Sequence, residues 1–162
     1  MSIERVRAYF EQFGMQARIL EFPVSSATVE LAAEAAGVPA ARIAKTLSFR
    51  DGEDGCLLVV AAGDARVDNR RFKDAFRQKA RFLTPEEAVA RTGHAVGGVC
   101  PFAVETGVRV YLDVSLRRFE TVFPAAGSSN SAIELTCGEL ERFAGAAGWV
   151  DVCKCWRAEE RP

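Results

Sequence analysis

This sequence has very little histidine, almost no net charge and no long apolar run. The chain has one histidine among 162 residues, and its 21 Lys+Arg nearly balance its 22 Asp+Glu. Balanced charge excludes the overall positive field of proteins that coat nucleic acid, so a polyanionic partner would need a local patch. No apolar run approaches the length of a membrane span, and charges interrupt residues 1–15 where a signal peptide would need an apolar core. We therefore expect a soluble, cytoplasmic protein without a membrane partner.

The cysteines lack the spacing of a metal or disulfide site. Their number is odd, and no pair forms a CxxC motif. With a single histidine in the chain, a structural zinc site is difficult to assemble. The pattern predicts free thiols in a reducing compartment, with no metal and no cofactor, for Cys56, Cys100, Cys137, Cys153 and Cys155.

Helix and strand signals alternate along the chain, whose length fits one domain over residues 1–162. Helices are predicted at 3–13 behind Ser2, within 25–39 up to Gly37, at 69–78 behind Asp68, from Pro85 behind the N-cap Thr84 of TPEE (84–87), and after Thr136. Strands are predicted at 16–22, 43–50, 56–62, 95–100, 108–112, 120–124 and 131–135, with a further candidate at 149–153. Hairpin-length connections dominate the strand regions. The predicted fold class is therefore α+β, with a mixed, largely antiparallel sheet or open barrel surrounded by helices.

Lys45 stands out because it lies within an apolar strand. In IAKTLSFR, alternation places Lys45 with Ile43 and Leu47 on the more apolar face. A buried lysine is costly unless it binds an anion or loses its proton, which favours a functional role. Alternatively, the stem packs against the core while the ammonium group reaches water.

The stretch GHAVGGVCPF (93–102) contains two adjacent glycines before Pro101. Gly97 and Gly98 can bring main-chain N–H groups close to a ligand, and such donors can stabilise an oxyanion. The same pattern is typical of a β-bulge or a turn. His94 can titrate near neutral pH, but a lone histidine after a helix end is commonly a cap or surface residue. Cys100 has no neighbour in sequence that would lower its pKa.

A basic cluster follows residue 65. On a helix at 69–78, one face carries Arg70, Lys73 and Arg77. The opposite face carries Phe72, Ala75 and Phe76. Such a positive ridge could hold nucleic-acid phosphates, or it could be a solvated surface.

The turn AAGSSNSAIEL (125–135) offers further polar groups. The Ser129 hydroxyl and the Asn130 amide could contact a polar ligand, although both residues also suit any turn.

Taken together, the order of these features resembles the YbaK family of free-standing aminoacyl-tRNA deacylases. That family is similar to the editing domain inserted in bacterial prolyl-tRNA synthetases. The resemblance runs from about residue 15 to residue 153, and its two hallmarks are the strand lysine of AKTLSF, Lys45, and a GxxxP loop, Gly97 to Pro101.

The resemblance implies a mixed α+β fold and metal-free hydrolysis of the ester that joins an amino acid to the tRNA 3′ end. It implies that the backbone of the loop orients the aminoacyl carbonyl while Lys45 holds the terminal nucleotide. The loop residues are Gly97, Gly98, Val99, Cys100 and Pro101. Further substrate contacts are expected from His94, Ser129 and Asn130, and contacts to tRNA from Arg70, Lys73 and Arg77.

The substrate is left open by departures from the family pattern. Ala132 stands before the IEL triplet, where some family members have aspartate. The pocket is therefore not expected to match that of the Cys-tRNA(Pro) deacylase, and alanine, serine or threonine is equally plausible. The expected partners are a mischarged aminoacyl-tRNA and, as a further candidate, an aminoacyl-tRNA synthetase. The alternative functions are a non-catalytic tRNA- or synthetase-binding module of the same fold and, on the cysteine count alone, a thiol-redox or metal protein.

Overall fold

Three of the five described α-helices begin directly after the capping residues that the sequence predicts, Asp68, Thr84 and Thr136. A computed structural model of the chain describes residues 2–95 and 97–158. The α-helices are α1 Ser2–Glu11, α2 Val29–Ala36, α3 Asn69–Phe76, α4 Pro85–Thr92 and α5 Cys137–Ala144. Thr84 and Thr136 each form a complete capping box with the glutamate three residues later, and the Asp68 carboxylate accepts from two N–H groups of α3. None of the helices in the described ranges is long and apolar enough to cross a membrane.

The strands form one curled mixed sheet and two short antiparallel pairs. They are β1 Ile19–Glu21, β2 Ile43–Asp51, β3 Gly55–Ala62, β4 Arg66–Val67, β5 Arg109–Asp113, β6 Thr121–Pro124, β7 Ser131–Ile133, β8 Leu135–Thr136, β9 Gly148–Val150 and β10 Cys153–Lys154. The main sheet has the order β8-β6-β2-β3-β5-β9, while β1 pairs with β7 and β4 with β10. The predicted α+β class, with a mixed sheet surrounded by helices, is confirmed.

Parallel pairing is more common in the main sheet than the short connections suggest. The predicted β2–β3 hairpin is present, with Lys45 opposite Ala61. However, β2–β6, β3–β5 and β5–β9 are parallel pairs. Parallel neighbours need crossover connections, and here α3 and α4 lie between β3 and β5 while α5 precedes β9.

The core lies on the central strand of this sheet. Residues 57–62 of β3 are fully buried, so both faces of this strand, which lies between β2 and β5, are covered. Four fully buried phenylalanines, Phe10, Phe49, Phe72 and Phe102, pack in the same core. This core fixes β2, the strand that carries Lys45.

Several predicted boundaries are wrong. Residues 95 and 97–100 form a loop rather than a strand, and Val96 lies outside the described residues. Helix α1 ends at Glu11, which leaves Phe13 beyond it and 41% exposed.

Other corrections are local. A 3₁₀ turn occupies 16–18 of the predicted first strand, Glu134 separates β7 from β8, and the 149–153 candidate is divided between β9 and β10. Ala75, expected on the buried face of α3, is exposed. In each case tertiary packing overrides a local pattern.

Candidate functional site

A cavity of about 280 Å³ lies between α2, β2, the glycine loop and the strands β6 and β7. Apolar side chains, including Val29, Ile43 and Phe123, form much of its wall. Hydroxyl groups are added by Ser26, Thr28, Thr46, Ser48 and Ser131. Within the described ranges, Lys45 is the one charged residue of the lining, so the cavity suits a small polar ligand that carries an anionic or oxygen-rich part.

Lys45 is held in place at the cavity wall by main-chain oxygens. Its Nζ atom donates to the carbonyl oxygen of Gly63 at 3.3 Å and to that of Ala65. Burial lowers the pKa of the Lys45 ammonium group. A lysine ammonium has three hydrogens, so one donor remains for a ligand. Lys45 is therefore both anchored and half-buried, rather than extended into bulk water.

The two glycines of the loop have different environments. Gly97 has φ +85° and lines the cavity, and a Cβ added there would lie 2.9 Å from the Ala27 Cβ. Gly98 is buried, and its N–H donates to the Ala95 carbonyl oxygen at 2.9 Å. A Cβ on Gly98 would lie 2.7 Å from the Ser128 main-chain nitrogen. Gly97 thus shapes the cavity, whereas Gly98 permits close packing of two loops.

Val99 supplies a second loop residue to the cavity lining. Its main-chain N–H donates to no other residue in 2–95 or 97–158. Because the Gly98 N–H already has an acceptor, Val99 is a better candidate than Gly98 for a main-chain donor to a bound carbonyl.

His94, just before the loop, and the loop residues Cys100 and Pro101 are buried and do not line the cavity. The His94 Nε2 atom lies 2.8 Å from the Phe102 carbonyl oxygen and 3.6 Å from the Cys100 Sγ atom. Burial lowers the pKa of the His94 imidazole and raises that of the Cys100 thiol to about 12. The side chains of His94, Cys100 and Pro101 therefore support the loop by packing in the core.

Ser129 and Asn130 are exposed and connect two segments beside the cavity. The Ser129 carbonyl oxygen accepts from the Ser26 N–H at 2.7 Å. The Asn130 amide donates to the Phe22 carbonyl oxygen at 3.1 Å, and the Phe22 N–H donates to the Asn130 carbonyl oxygen at 2.8 Å. Neither residue lines the cavity. They hold the segment before α2 against the turn before β7.

Four of the hydroxyl residues of the lining, Ser26, Thr28, Thr46 and Ser48, were not singled out from the sequence, whereas Ser131 belongs to the turn whose hydroxyls were predicted as candidate ligand contacts. Thr46 and Ser48 follow the alternation of β2 on the face opposite to that assigned to Lys45, and both line the cavity. A serine or threonine in a strand is common, so the signal was too weak to distinguish a site from a solvated face.

The five cysteines are all free thiols, as the sequence predicts.

The basic residues of α3 lie apart from this cavity, on an exposed surface. Arg70, Lys73 and Arg77 are all exposed, and none forms an ion pair with a carboxylate in the part of the chain that the structure describes. Arg70 and Lys73 line a surface cavity of about 450 Å³ together with Lys79. Arg77 follows the helix with φ +57°.

Comparisons with known proteins place this geometry in context. Residues 24–143 match the aminoacyl-tRNA editing domain family. YwhH, an uncharacterised protein of Bacillus subtilis (strain 168), is 54% identical over 156 residues, which cover 96% of this chain and 99% of that protein. The proline–tRNA ligase of Thermotoga maritima is 33% identical over 91 residues, 56% of this chain but 15% of the ligase. The solved structure of a candidate trans-editing enzyme for prolyl tRNA synthetase superposes with a TM-score of 0.83 at 33% identity, over 93% of this chain and 96% of that chain.

Proposed function

The chain belongs to the aminoacyl-tRNA editing domain family, and we propose that it hydrolyses the ester of a mischarged aminoacyl-tRNA. One observation carries this proposal: Lys45 and Gly97, on elements far apart in sequence, line the same cavity. A module that only binds tRNA or a synthetase would need neither an anchored cation nor a loop with accessible main-chain groups in that cavity. The reaction adds water to the aminoacyl carbonyl and breaks the ester C–O bond, which releases the amino acid and a free ribose hydroxyl.

The glycine loop is proposed to orient and polarise the ester carbonyl. Gly97 lets the ester approach the main chain, and the Val99 N–H is the donor we assign to the developing oxyanion. Gly98 contributes indirectly, since it allows the loop to pack on Ser128. Removal of one such donor in other hydrolases costs about 10²–10³ in rate, so main-chain donors can account for a large part of catalysis.

Lys45 is proposed to hold the terminal nucleotide. Its remaining N–H can donate to a phosphate or ribose oxygen, which keeps the ester above the loop. Among the described residues, neither a carboxylate nor an imidazole lines the cavity. We therefore assign proton transfer from the attacking water to the substrate's own amino or ribose hydroxyl group, from which the proton reaches the leaving ribose oxygen.

The amino acid is proposed to be small and uncharged. A cavity of about 280 Å³ must hold part of the terminal ribose as well as the side chain, and Ala132 lines it. A carboxylate side chain would face no cation other than Lys45, which the nucleotide occupies. Alanine, serine and threonine fit these limits, and a cavity that selects by size discriminates poorly among them.

The macromolecular partner is proposed to be tRNA, contacted through Arg70, Lys73 and Arg77, with a synthetase as a further candidate that presents it. The test uses prolyl, alanyl, seryl, threonyl and cysteinyl esters of tRNA and follows release of the labelled amino acid. Release of a small noncognate amino acid supports the proposal. Binding of the same tRNAs without release from any of them would replace it with a non-catalytic tRNA-binding module.

A further inference from the structure

We propose that Phe82, Arg81 and Lys79 bind the single-stranded 3′ end of the tRNA just outside the cavity. In this arrangement Phe82 stacks on a base and the two cations contact phosphates. This inference rests on the proposed function, since it names the part of the tRNA that the same site receives. The three residues are distinct from the α3 ridge of Arg70, Lys73 and Arg77.

The segment that carries them runs along the edge of β2 and continues into the cavity wall. The Arg50 N–H donates to the Arg81 carbonyl oxygen at 2.8 Å, and the Leu83 N–H donates to the Ser48 carbonyl oxygen at 3.0 Å. Ser48 and Leu83 both line the cavity. Two residues of extended chain span about 7 Å, so Arg81 lies one short step beyond the rim. A single-stranded tRNA end whose terminal ester occupies the cavity can therefore pass over Phe82.

Phe82 has the geometry of a stacking platform. It is 58% exposed, while its ring stacks on the fully buried Phe49 with centroids 4.6 Å apart and planes inclined by 29°. The bridge between the same two residues fixes the backbone beneath the ring. One face of Phe82 is therefore held by the core and the other is open to solvent. Aromatic rings presented in this way bind successive bases of single strands without sequence preference.

The charge around Phe82 suits a phosphate chain. Lys79 and Arg81 are exposed and form no ion pair with any carboxylate in the described ranges. They line a surface cavity of about 260 Å³ with Arg50 and Gln78, and Lys79 also lines the cavity that contains Arg70 and Lys73.

Two of the nearby carboxylates are each paired with an arginine rather than with Lys79 or Arg81. Arg50 pairs with Glu87 at 3.1 Å, and Arg109 pairs with Asp51 at 2.7 Å. Lys79 therefore lies between the cations near the rim of the cavity and those of α3. An exposed aromatic ring beside cations that form no ion pair within the described ranges favours single-stranded nucleic acid, because stacking and phosphate contacts then come from one surface.

The experiment measures binding of uncharged tRNA, which requires no hydrolysis. Intact tRNA is compared with tRNA from which the single-stranded 3′ end has been trimmed. A second tRNA carries 2-aminopurine in the 3′ end, because stacking quenches its fluorescence. The variants are Phe82→Ala, Phe82→Leu, Phe82→Trp and the pair Lys79→Gln with Arg81→Gln. Phe13→Leu and Arg117→Gln are matched controls, since both are exposed and lie elsewhere.

We expect Phe82→Ala and Phe82→Leu to weaken binding of intact tRNA by about fivefold or more, and Phe82→Trp to retain it. The trimmed tRNA should bind all Phe82 variants equally, and quenching of 2-aminopurine should disappear in the alanine and leucine variants. Loss of both cations should reduce the slope of log K against log salt by about 1.4, for two contacts to a single strand. Thermal unfolding of Phe82→Leu checks that Phe49 remains covered.

Unchanged affinity and quenching in folded Phe82→Leu would overturn the inference, even if the protein deacylates tRNA. The same holds if the variant loses binding to a synthetase but not to tRNA, because the surface would then belong to a protein partner. Conversely, Phe82-dependent binding without any hydrolysis would retain the inference and refute the proposed reaction. No binding of either tRNA by the wild-type protein would overturn both.

Discussion

The ammonium group of Lys45 donates to the carbonyl oxygen of Gly63 at 3.3 Å, which ties β2 to the end of the neighbouring strand at the cavity wall. A Cβ on Gly63 would lie 2.0 Å from the Ala40 carbonyl oxygen, so only glycine allows this close approach. The lysine therefore reaches the cavity from a fixed position rather than as a flexible surface side chain.

The first prediction concerns this lysine. Lys45→Met retains the apolar stem but removes the charge, and we expect kcat/KM for deacylation to fall by about tenfold or more, because a hydrogen bond to a charged group is lost. Lys45→Arg should restore little, since a planar guanidinium does not fit a site built for a point charge. Steady-state deacylation and thermal unfolding of both variants check this. Wild-type kcat/KM in folded Lys45→Met would contradict it.

The second prediction separates backbone strain from steric crowding at Gly97. Gly97→Ala adds a Cβ at φ +85°, which costs about 1–2 kcal/mol, and places it 2.9 Å from the Ala27 Cβ. Gly107→Ala is the matched control, because Gly107 has φ +95° but no atom within 4 Å of the added Cβ. We expect both variants to lose stability in chemical denaturation and Gly97→Ala alone to lose deacylation. Equal activity of the two variants would show that Gly97 has no role beyond the turn.

The third prediction is that Cys100 is not a nucleophile. Burial raises the pKa of its thiol to about 12, so the reactive thiolate is scarce at neutral pH. Cys100→Ala should retain deacylation, although it should lower the free energy of unfolding because it leaves a gap in the core. In the native protein, alkylating reagents should modify the half-buried Cys137 and Cys155 before Cys100. Loss of deacylation from a stably folded Cys100→Ala would refute this.

The fourth prediction concerns pH and the single histidine. Burial lowers the pKa of His94 in the folded state, so the unfolded chain binds its proton first as pH falls. The free energy of unfolding should therefore be steady above about pH 6.5, the ordinary value for histidine, and should decline below it. His94→Gln should lack the part of this decline that the His94 proton causes, whatever its absolute stability. Denaturant titrations at several pH values test the difference, and parallel profiles would contradict it.

The fifth prediction concerns the ridge on α3. Reversal of Arg70, Lys73 and Arg77 to glutamate should raise KM for charged tRNA with little change in kcat, and should flatten the dependence of KM on salt. The control is the variant Arg142→Glu, measured in the same way, because Arg142 is an exposed arginine on α5. Unchanged kinetics in the triple variant would make the ridge an ordinary solvated surface.

Local signals in the sequence predicted the helix starts and the central hairpin correctly. Thr84, Thr136 and Asp68 are capping residues whose hydrogen bonds are short-range, so the pattern determines them almost alone. Residues 95–100 were predicted as a strand candidate, although the glycine pair within them also indicated a loop or a turn. The packing of Gly97 against Ala27 and of Gly98 against Ser128 involves segments thirty or more positions away.

The sequence predicted only the part of the site that a motif marks. Lys45 and Gly97 were chosen because of a motif, and both line the cavity. His94 and Cys100 attract attention as reactive residue types, but residue type does not indicate burial behind a loop. The stacking of Phe82 on Phe49 depends on the edge of β2 to which residues 81–83 return, which no local pattern encodes.

Deacylation under single-turnover conditions tests the central claim most directly. Wild-type protein in excess is mixed with alanyl-, seryl-, threonyl- and cysteinyl-tRNA, and release of each amino acid is followed beside Lys45→Met and Gly97→Ala. The account predicts rapid release of at least one small amino acid by the wild-type protein and slow release by both variants. Equal, background-level release by all three proteins, with tRNA binding intact, would contradict it.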